Sequence, residues 1–169
     1  MGDNLYYLIV TPRFLFLCVL LLPFFIYINP VNAQEGNATV IDGDTLDISG
    51  QRIRLHGVDA PELNQVCKIN NKNWNCGIEA SNFLEKLTAD HTIVCIRRDT
   101  DRYGRSIATC TVGEIDINAT LVANGWAIAY RFYSDDYVLD EAIAQKNTLG
   151  IWRGKFITPY NWRRGERWE

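Results

Sequence analysis

The chain has 169 residues, 47% of them hydrophobic and 22% charged, enough for one globular domain of ordinary size plus a short extra segment. That composition excludes a disordered chain, a collagen and a coiled coil. With 17 Lys and Arg against 20 Asp and Glu the formal charge is -3, which excludes a generally basic wrapper of nucleic acid and confines any polyanion binding to a local patch.

The N-terminal stretch FLFLCVLLLPFFIYI, between Arg13 and Asn29, carries no charge over 15 residues and is followed by Pro30, Val31, Asn32 and Ala33. It reads as the apolar region of a signal peptide with a small-residue cleavage site. A spanning helix needs about 20 apolar residues, and Pro23 interrupts the run, so an uncleaved anchor is the weaker alternative. Cleavage after Ala33 leaves residues 34–169 as a single domain in an exported, secreted or periplasmic protein. Membrane contact would then arise only through an uncleaved N-terminal segment.

From Thr39 onward the chain turns to short alternating segments. TVIDGDTLDI is followed by a turn at Ser49 and Gly50 and then by QRIRLHGVDA, where Ile53 and Leu55 share one face and Arg54 and His56 the other. These are strands. The polar stretch KINNKNWN between Cys67 and Cys76 reads as a surface loop that needs a clip. Gly77 to Ala89 has helical spacing of Ile78, Phe83, Leu84 and Leu87 and predicts an amphipathic helix. His91 to Arg98 and Arg105 to Val112 flank the turn DTDRYG and predict a hairpin. Asp116 reads as the N-cap of a helix ending at Gly125, and Ser134 or Asp135 as the cap of another running to Gly150. The expected class is α+β, mainly β: a five-stranded barrel of the oligonucleotide-binding (OB) kind with three α-helices.

The cysteines support an oxidising compartment. Cys18 leaves with the leader, and four remain. A hairpin closed at Arg102 and Tyr103 sets Cys95 opposite Cys110 within disulfide range, and Cys67 with Cys76 closes the polar loop. Zinc is disfavoured, because there is no CxxC pair and the chain holds only 2 histidines. The closing stretch IWRGKFITPYNWRRGERWE, residues 151–169, has five cations and two anions interleaved with aromatic residues. Its rings either stack on bases or, the favoured reading, pack on the barrel with the arginine heads in water.

Three acidic residues fall near strand ends: Asp44 in DGDT, and Asp59 and Glu62 in VDAPE. Asp44 has the parity of Leu46 and Ile48 and should point inward at the barrel rim, where an uncompensated charge costs several kcal/mol, on the order of 3–5. Oxygen-only ligands select a hard cation such as calcium or magnesium. Arg54 and Arg105 could hold the nonbridging oxygens of a phosphodiester, and Glu62 could take the proton from attacking water. On spacing alone, a surface ion-pair network of Arg54, Asp59, Glu62 and Arg105 explains the same residues equally well.

The strings VIDGDTLDISGQRIRLHGVDAPE, DRYGRSIA, LVANGWAIAY and GIW, in this order between Ala38 and Arg153, resemble the staphylococcal nuclease (thermonuclease) family. The resemblance implies a calcium-dependent nuclease acting on DNA and RNA with little sequence preference. It implies Ca2+ ligands at Asp44, Asp59 and the backbone oxygen of Ala60, with Asp42 in the outer coordination sphere. It implies Glu62 as general base and Arg54 and Arg105 as the phosphate-binding pair. Arg102 and Tyr103 fall where the family contacts a terminal phosphate. The base-stacking tyrosines fall near Arg131 and Tyr133, with Tyr130 or Phe132 substituting at the first. Ala60 stands where threonine is common, which preserves the main-chain oxygen and removes a hydroxyl. The rival class is a non-catalytic OB module of the cell envelope. No obligate protein partner is evident, and a monomer is expected.

Overall fold

A computed structural model describes residues 33–168. The leader expected over residues 1–33 lies, apart from Ala33, outside the described residues, as does Cys18. No helix among the described residues is long and apolar enough to cross a membrane.

Five strands close a barrel. β1 (Ala33–Asp42) pairs antiparallel with β2 (Thr45–Ile48), which pairs antiparallel with β3 (Gln51–Leu55). β7 (Thr92–Thr100) lies antiparallel to β1 on its other side and forms the expected hairpin with β8 (Ser106–Val112). The parallel pairing of β3 with β8 shuts the cylinder, with Ile53 opposite Ser106 and Arg54 opposite Ile107. Closure removes both free edges of the sheet. Inward residues Leu46, Ile48, Ile53, Leu55, Ile93, Ala108 and Cys110 fill the interior, and each large aliphatic chain so buried contributes about 1.5–3 kcal/mol.

Short elements decorate this barrel: β4 (Val58–Asp59), β5 (Cys67–Ile69), β6 (Lys72–Trp74), β9 (Ile115–Asp116) and β10 (Ile128–Ala129). β10 pairs with β4, setting Ile128 opposite Asp59. The strand carrying Arg54 therefore does not run on to Asp59; it stops at Leu55, and Gly57 turns the chain into β4. The polar stretch between Cys67 and Cys76 is a β5–β6 hairpin, whose turn uses Asn70 and Asn71 at φ 51° and 60°. Asparagine tolerates that conformation best among non-glycine residues.

α1 (Cys76–Thr88) matches the expected amphipathic helix. α2 (Ile117–Ala123) opens, as read from the sequence, on the Asp116 side chain, which accepts a hydrogen bond from Ala119 N–H at 2.9 Å. It ends just before Gly125, whose φ is 73° and where a Cβ would sit 2.3 Å from the Leu149 carbonyl oxygen. α3 (Val138–Lys146) is shorter than expected at both ends: Ser134 accepts from Asp136 N–H in a turn outside the helix, and residues 150–153 form a 3₁₀ turn. A fourth helix, α4 (Pro159–Arg163), lies in the C-terminal tail, opened by Thr158 as cap and Pro159 at its first position.

Both expected disulfides are present. Cys95 and Cys110 are register partners on β7 and β8, and Cys67 and Cys76 join the start of β5 to the start of α1. Replacing Cys95 and Cys110 together by alanine should lower the unfolding free energy by about 3 kcal/mol, the chain-entropy value for a loop of roughly 15 residues. Urea denaturation checks this, and unchanged stability would show that the cross-link constrains the unfolded chain negligibly.

Candidate active site

The acidic residues converge where the β1–β2 turn meets the segment after β4. Register sets Arg54 of β3 opposite Thr45, one residue from Asp44. Its guanidinium donates to Asp44 Oδ1, to Asp59 Oδ1 at 2.9 Å and to the Val58 carbonyl at 3.4 Å. Asp44 also accepts from Ala60 N–H at 2.8 Å and from the Thr45 hydroxyl at 3.2 Å, while Asp42 Oδ1 accepts from Asp44 N–H at 3.0 Å. Asp44 and Asp59 are 2% and 0% exposed, so these carboxylates see almost no water. The inward orientation read from strand parity is observed.

Burial pushes the Asp44 carboxyl up to about 8, with Asp42 and Asp59 adding to the effect and Arg54 opposing it. Burial pulls Arg54 down, but Asp44 and Asp59 more than offset it and hold the guanidinium above its ordinary value.

Glu62 stands at the entrance. Its loop is fixed by Gln65, fully buried, whose side-chain oxygen accepts from Glu62 N–H at 3.2 Å and whose Nε2 donates to the Ile157 carbonyl at 2.7 Å. Gly77 of α1 lies against the Glu62 carbonyl so closely that a Cβ there would sit 1.7 Å from the oxygen. The Glu62 carboxylate is held by Arg163 of α4, which also bonds Asp59. Here the tail departs from expectation. Its rings do pack, with Trp162 buried, but the Arg163 head lies in the acidic cluster rather than in water. The spacing of the tail gives no register that would have singled this residue out.

The cluster suits a hard divalent cation. With all four ionised, Asp42, Asp44, Asp59 and Glu62 outnumber the two guanidiniums of Arg54 and Arg163 by two charges, and a bound cation would favour that ionised state over the protonated Asp44 that burial promotes. No hydrogen bond reaches the Ala60 carbonyl among the described residues. Two carboxylates and a carbonyl are oxygen donors of the kind calcium takes. No three His, Cys, Asp or Glu side chains among the described residues form a cage that could hold a metal unaided. Such a partial donor set leaves room for water and phosphate oxygens.

Arg105 belongs to a second, adjoining group. It immediately precedes β8, whose first residue, Ser106, is the register partner of Ile53 on β3, and its Nε donates to Asp101 at 2.7 Å. Slight burial works against Asp101, but hydrogen bonds from Arg105 and Tyr103 hold it below the usual carboxylate range. Arg102 donates to the Tyr103 hydroxyl at 2.7 Å and lies 4.8 Å from its ring centre. Arg52, Tyr103 and Arg105 line one surface depression. Asp44 and Asp59 thus meet directly on Arg54, Glu62 joins them through Arg163, and Arg102, Tyr103 and Arg105 lie on the turn that leads into β8, the strand paired with β3.

Beyond β10, Tyr130, Phe132 and Tyr133 form an aromatic group with ring centres 5.0 to 6.4 Å apart, Phe132 and Tyr133 largely exposed. Burial and the charge of Asp59 raise the Tyr130 phenol. Arg131 turns away to Glu141 at 2.6 Å, and Glu141 also accepts from Ala129 N–H, bracing this loop.

Residues 52–154 match the family model described as staphylococcal nuclease homologue. Three relatives show the breadth of the likeness. The thermonuclease of Staphylococcus intermedius is 38% identical over 67% of this chain and 72% of its own length. The succinoglycan biosynthesis protein ExoI of Rhizobium meliloti (strain 1021) is 37% identical over 71% of this chain, and the alignment spans 65% of that protein. Protein ParB of Escherichia coli is 32% identical over 74% of this chain and 76% of its own length.

The two arginines should differ in what they do for stability. Arg54→Ala leaves two buried carboxylates poorly compensated and should cost about 3–5 kcal/mol. Arg105→Ala removes a partly exposed pair and should cost no more than about 1 kcal/mol. Chemical denaturation of the two variants checks the contrast, and equal losses would overturn it.

Proposed function

The chain belongs to the staphylococcal nuclease homologue family, and from that premise we propose that it is a calcium-dependent nuclease hydrolysing phosphodiester bonds of DNA and RNA with little sequence preference. One observation carries the reading: two buried carboxylates share a half-buried arginine, and Arg163 links one of them to the carboxylate of Glu62 at the rim. A surface that only bound nucleic acid would gain nothing from carboxylates in a phosphate groove, since they repel the ligand. That counts against a non-catalytic OB module.

In this mechanism Asp44, Asp59 and the Ala60 carbonyl would hold Ca2+, with Asp42 accepting from Asp44 N–H and so orienting the Asp44 turn. The ion, when bound, supplies positive charge to the phosphodiester oxygens. Glu62 accepts a proton from the water that attacks phosphorus, one P–O ester bond breaks as the new one forms, and the departing alkoxide takes its proton from solvent. Arg54 and Arg105 donate to the nonbridging oxygens, where negative charge grows as the fifth oxygen approaches. Arg102 and Tyr103 hold a neighbouring phosphate, and Tyr130 and Tyr133 offer ring faces for bases. Stacking of this kind tolerates any base, which accounts for low sequence preference.

With few protein ligands, calcium affinity is expected to be weak, on the order of 10⁻⁴ to 10⁻³ M as in extracellular modules. That suits an exported protein, and the pair of disulfides supports an oxidising compartment. Removal of residues 1–33 would leave residues 34–169 as the working domain.

Expressed with its leader and purified, the protein should cut DNA and RNA in calcium and fall silent in a calcium chelator. Glu62→Gln should lower kcat by about 10²–10⁴, and Arg105→Ala by about 10²–10³ with the fold retained. Binding that persists in chelator, with no cleavage under any divalent cation, would replace the nuclease by the binding module.

A further inference from the structure

The C-terminal tail lies beyond the segment matched by the family model, which ends at residue 154, yet it fastens itself to the loop that carries Glu62. Lys155 and Lys68 exchange backbone hydrogen bonds at 2.8 and 2.9 Å, and the Ile157 carbonyl accepts from Gln65. Trp162 Nε1 donates to Asn64 Oδ1 at 3.3 Å, and Trp168 Nε1 donates to the Val66 carbonyl at 2.9 Å. Every one of these partners lies between Asn64 and Lys68. Arg167, 3.8 Å from the Trp162 ring centre, covers that ring from outside and donates to the Trp162 carbonyl.

Arg163 is the tail's contact with the acidic cluster. Its Nη1 donates at 2.8 Å to both Asp59 Oδ1 and Glu62 Oε1, and its Nη2 donates to Asp59 Oδ2 at 3.1 Å. Burial lowers this guanidinium, but the hydrogen bonds and charges of Asp59 and Glu62 outweigh it.

We infer that Arg163 is a positioning residue that holds Glu62 in place relative to Asp59, so that the C-terminal tail completes the site. The inference rests on the nuclease reading, in which Glu62 is the base. A glutamate at a rim is free to sample many rotamers, whereas a general base must stay within hydrogen-bond reach of its water. One nitrogen shared by two carboxylates ties the Glu62 head to Asp59, and Asp59 is itself tied to Arg54. Arginine suits the task because it remains charged and does not surrender a proton to the carboxylate it orients. No hydrogen bond reaches Glu62 Oε2 among the described residues, so the tether leaves an oxygen able to receive the proton.

A rival role for the same contact is inhibitory. By occupying Asp59, Arg163 would compete with calcium, and removing it would raise both metal affinity and rate.

The test is a double-mutant cycle on the full chain, with calcium binding by calorimetry and thermal melting as readouts besides turnover. Wild type must cleave DNA in calcium; if it does not, the nuclease reading fails and the cycle is not reached. Where it does, Arg163→Ala should lower kcat by about 10- to 100-fold with KM within about twofold. Arg163→Lys should recover part of that loss. In a Glu62→Gln background, adding Arg163→Ala should cost less than about twofold, because the group it positions is gone. The inference is overturned if Arg163→Ala turns over as wild type or faster. It is equally overturned if the loss is undiminished in the Glu62→Gln background, or if weakened calcium binding or a melted fold accounts for it.

Discussion

Two carboxylates withdrawn from water at one end of a barrel set the terms for everything around them. Asp44 and Asp59 are almost wholly inaccessible, and a charge so placed is costly unless donors and cations surround it. Arg54 meets both, Ala60 N–H and the Thr45 hydroxyl complete the Asp44 shell, and Arg163 meets both oxygens of Asp59. Even so, the desolvated Asp44 is pushed toward its neutral form. A barrel built only for stability would place apolar side chains here. The surplus of negative charge makes sense as a seat for a cation that the protein itself does not supply.

Holding that arrangement takes polar residues buried elsewhere. Asn118 of α2 is completely buried and meets three partners, accepting from Cys110 N–H and donating to the His56 and Ala108 carbonyls. It pins the helix to β8 and to the turn that leads from Arg54 to Asp59. Gln65 sets the Glu62 loop against the tail, and Glu141 sets the aromatic loop against β10. Each satisfied buried group fixes a direction that apolar packing alone leaves loose, and breaking one strands its partners without water.

The barrel and most of the cluster are legible in the sequence because they obey short periods. Alternation fixes which face Asp44, Ile53 and Arg54 present, and the symmetric placement of Cys95 and Cys110 about a turn fixes the β7–β8 register. Asp116 caps α2 through a local, sequence-contiguous bond, the kind that pattern reading finds. The Asn70–Asn71 turn carried a usable signal too, since paired asparagines accept positive φ, but the apolar alternation around it is too thin to mark strands. α3 starts later than the sequence implies because a Ser–Asp turn imitates a cap without starting a helix. Arg163 lay beyond reach for a different reason. It stands 101 residues from Glu62, and one arginine among several in a basic tail is distinguished only by where Trp162 is buried and where α4 ends.

Arg54 and Arg105, alike as letters, would meet a phosphate on the proposed mechanism in opposite ways. Arg54 is locked between carboxylates, so its donors are already aimed before any substrate arrives, at the expense of being shared with those carboxylates. Arg105 is tethered through Nε to Asp101 on the hairpin turn, which leaves its terminal nitrogens uncommitted among the described residues and its plane set by a single bond. A guanidinium anchored at Nε cannot swing far, yet it presents the paired Nη donors that match two phosphate oxygens. Preorganisation lowers a barrier only when the donors point at where charge will develop and need not rearrange to meet it. Arg54 gains its rigidity from Asp44 and Asp59, so on the proposed reading a cation drawing on those same oxygens would free Arg54 donors for the phosphate. The Asp101 tether keeps Arg105 ready regardless of the cation. On this view the acidic cluster and the hairpin turn are two halves of one site, and β3 and β8, paired in parallel, are what hold them side by side.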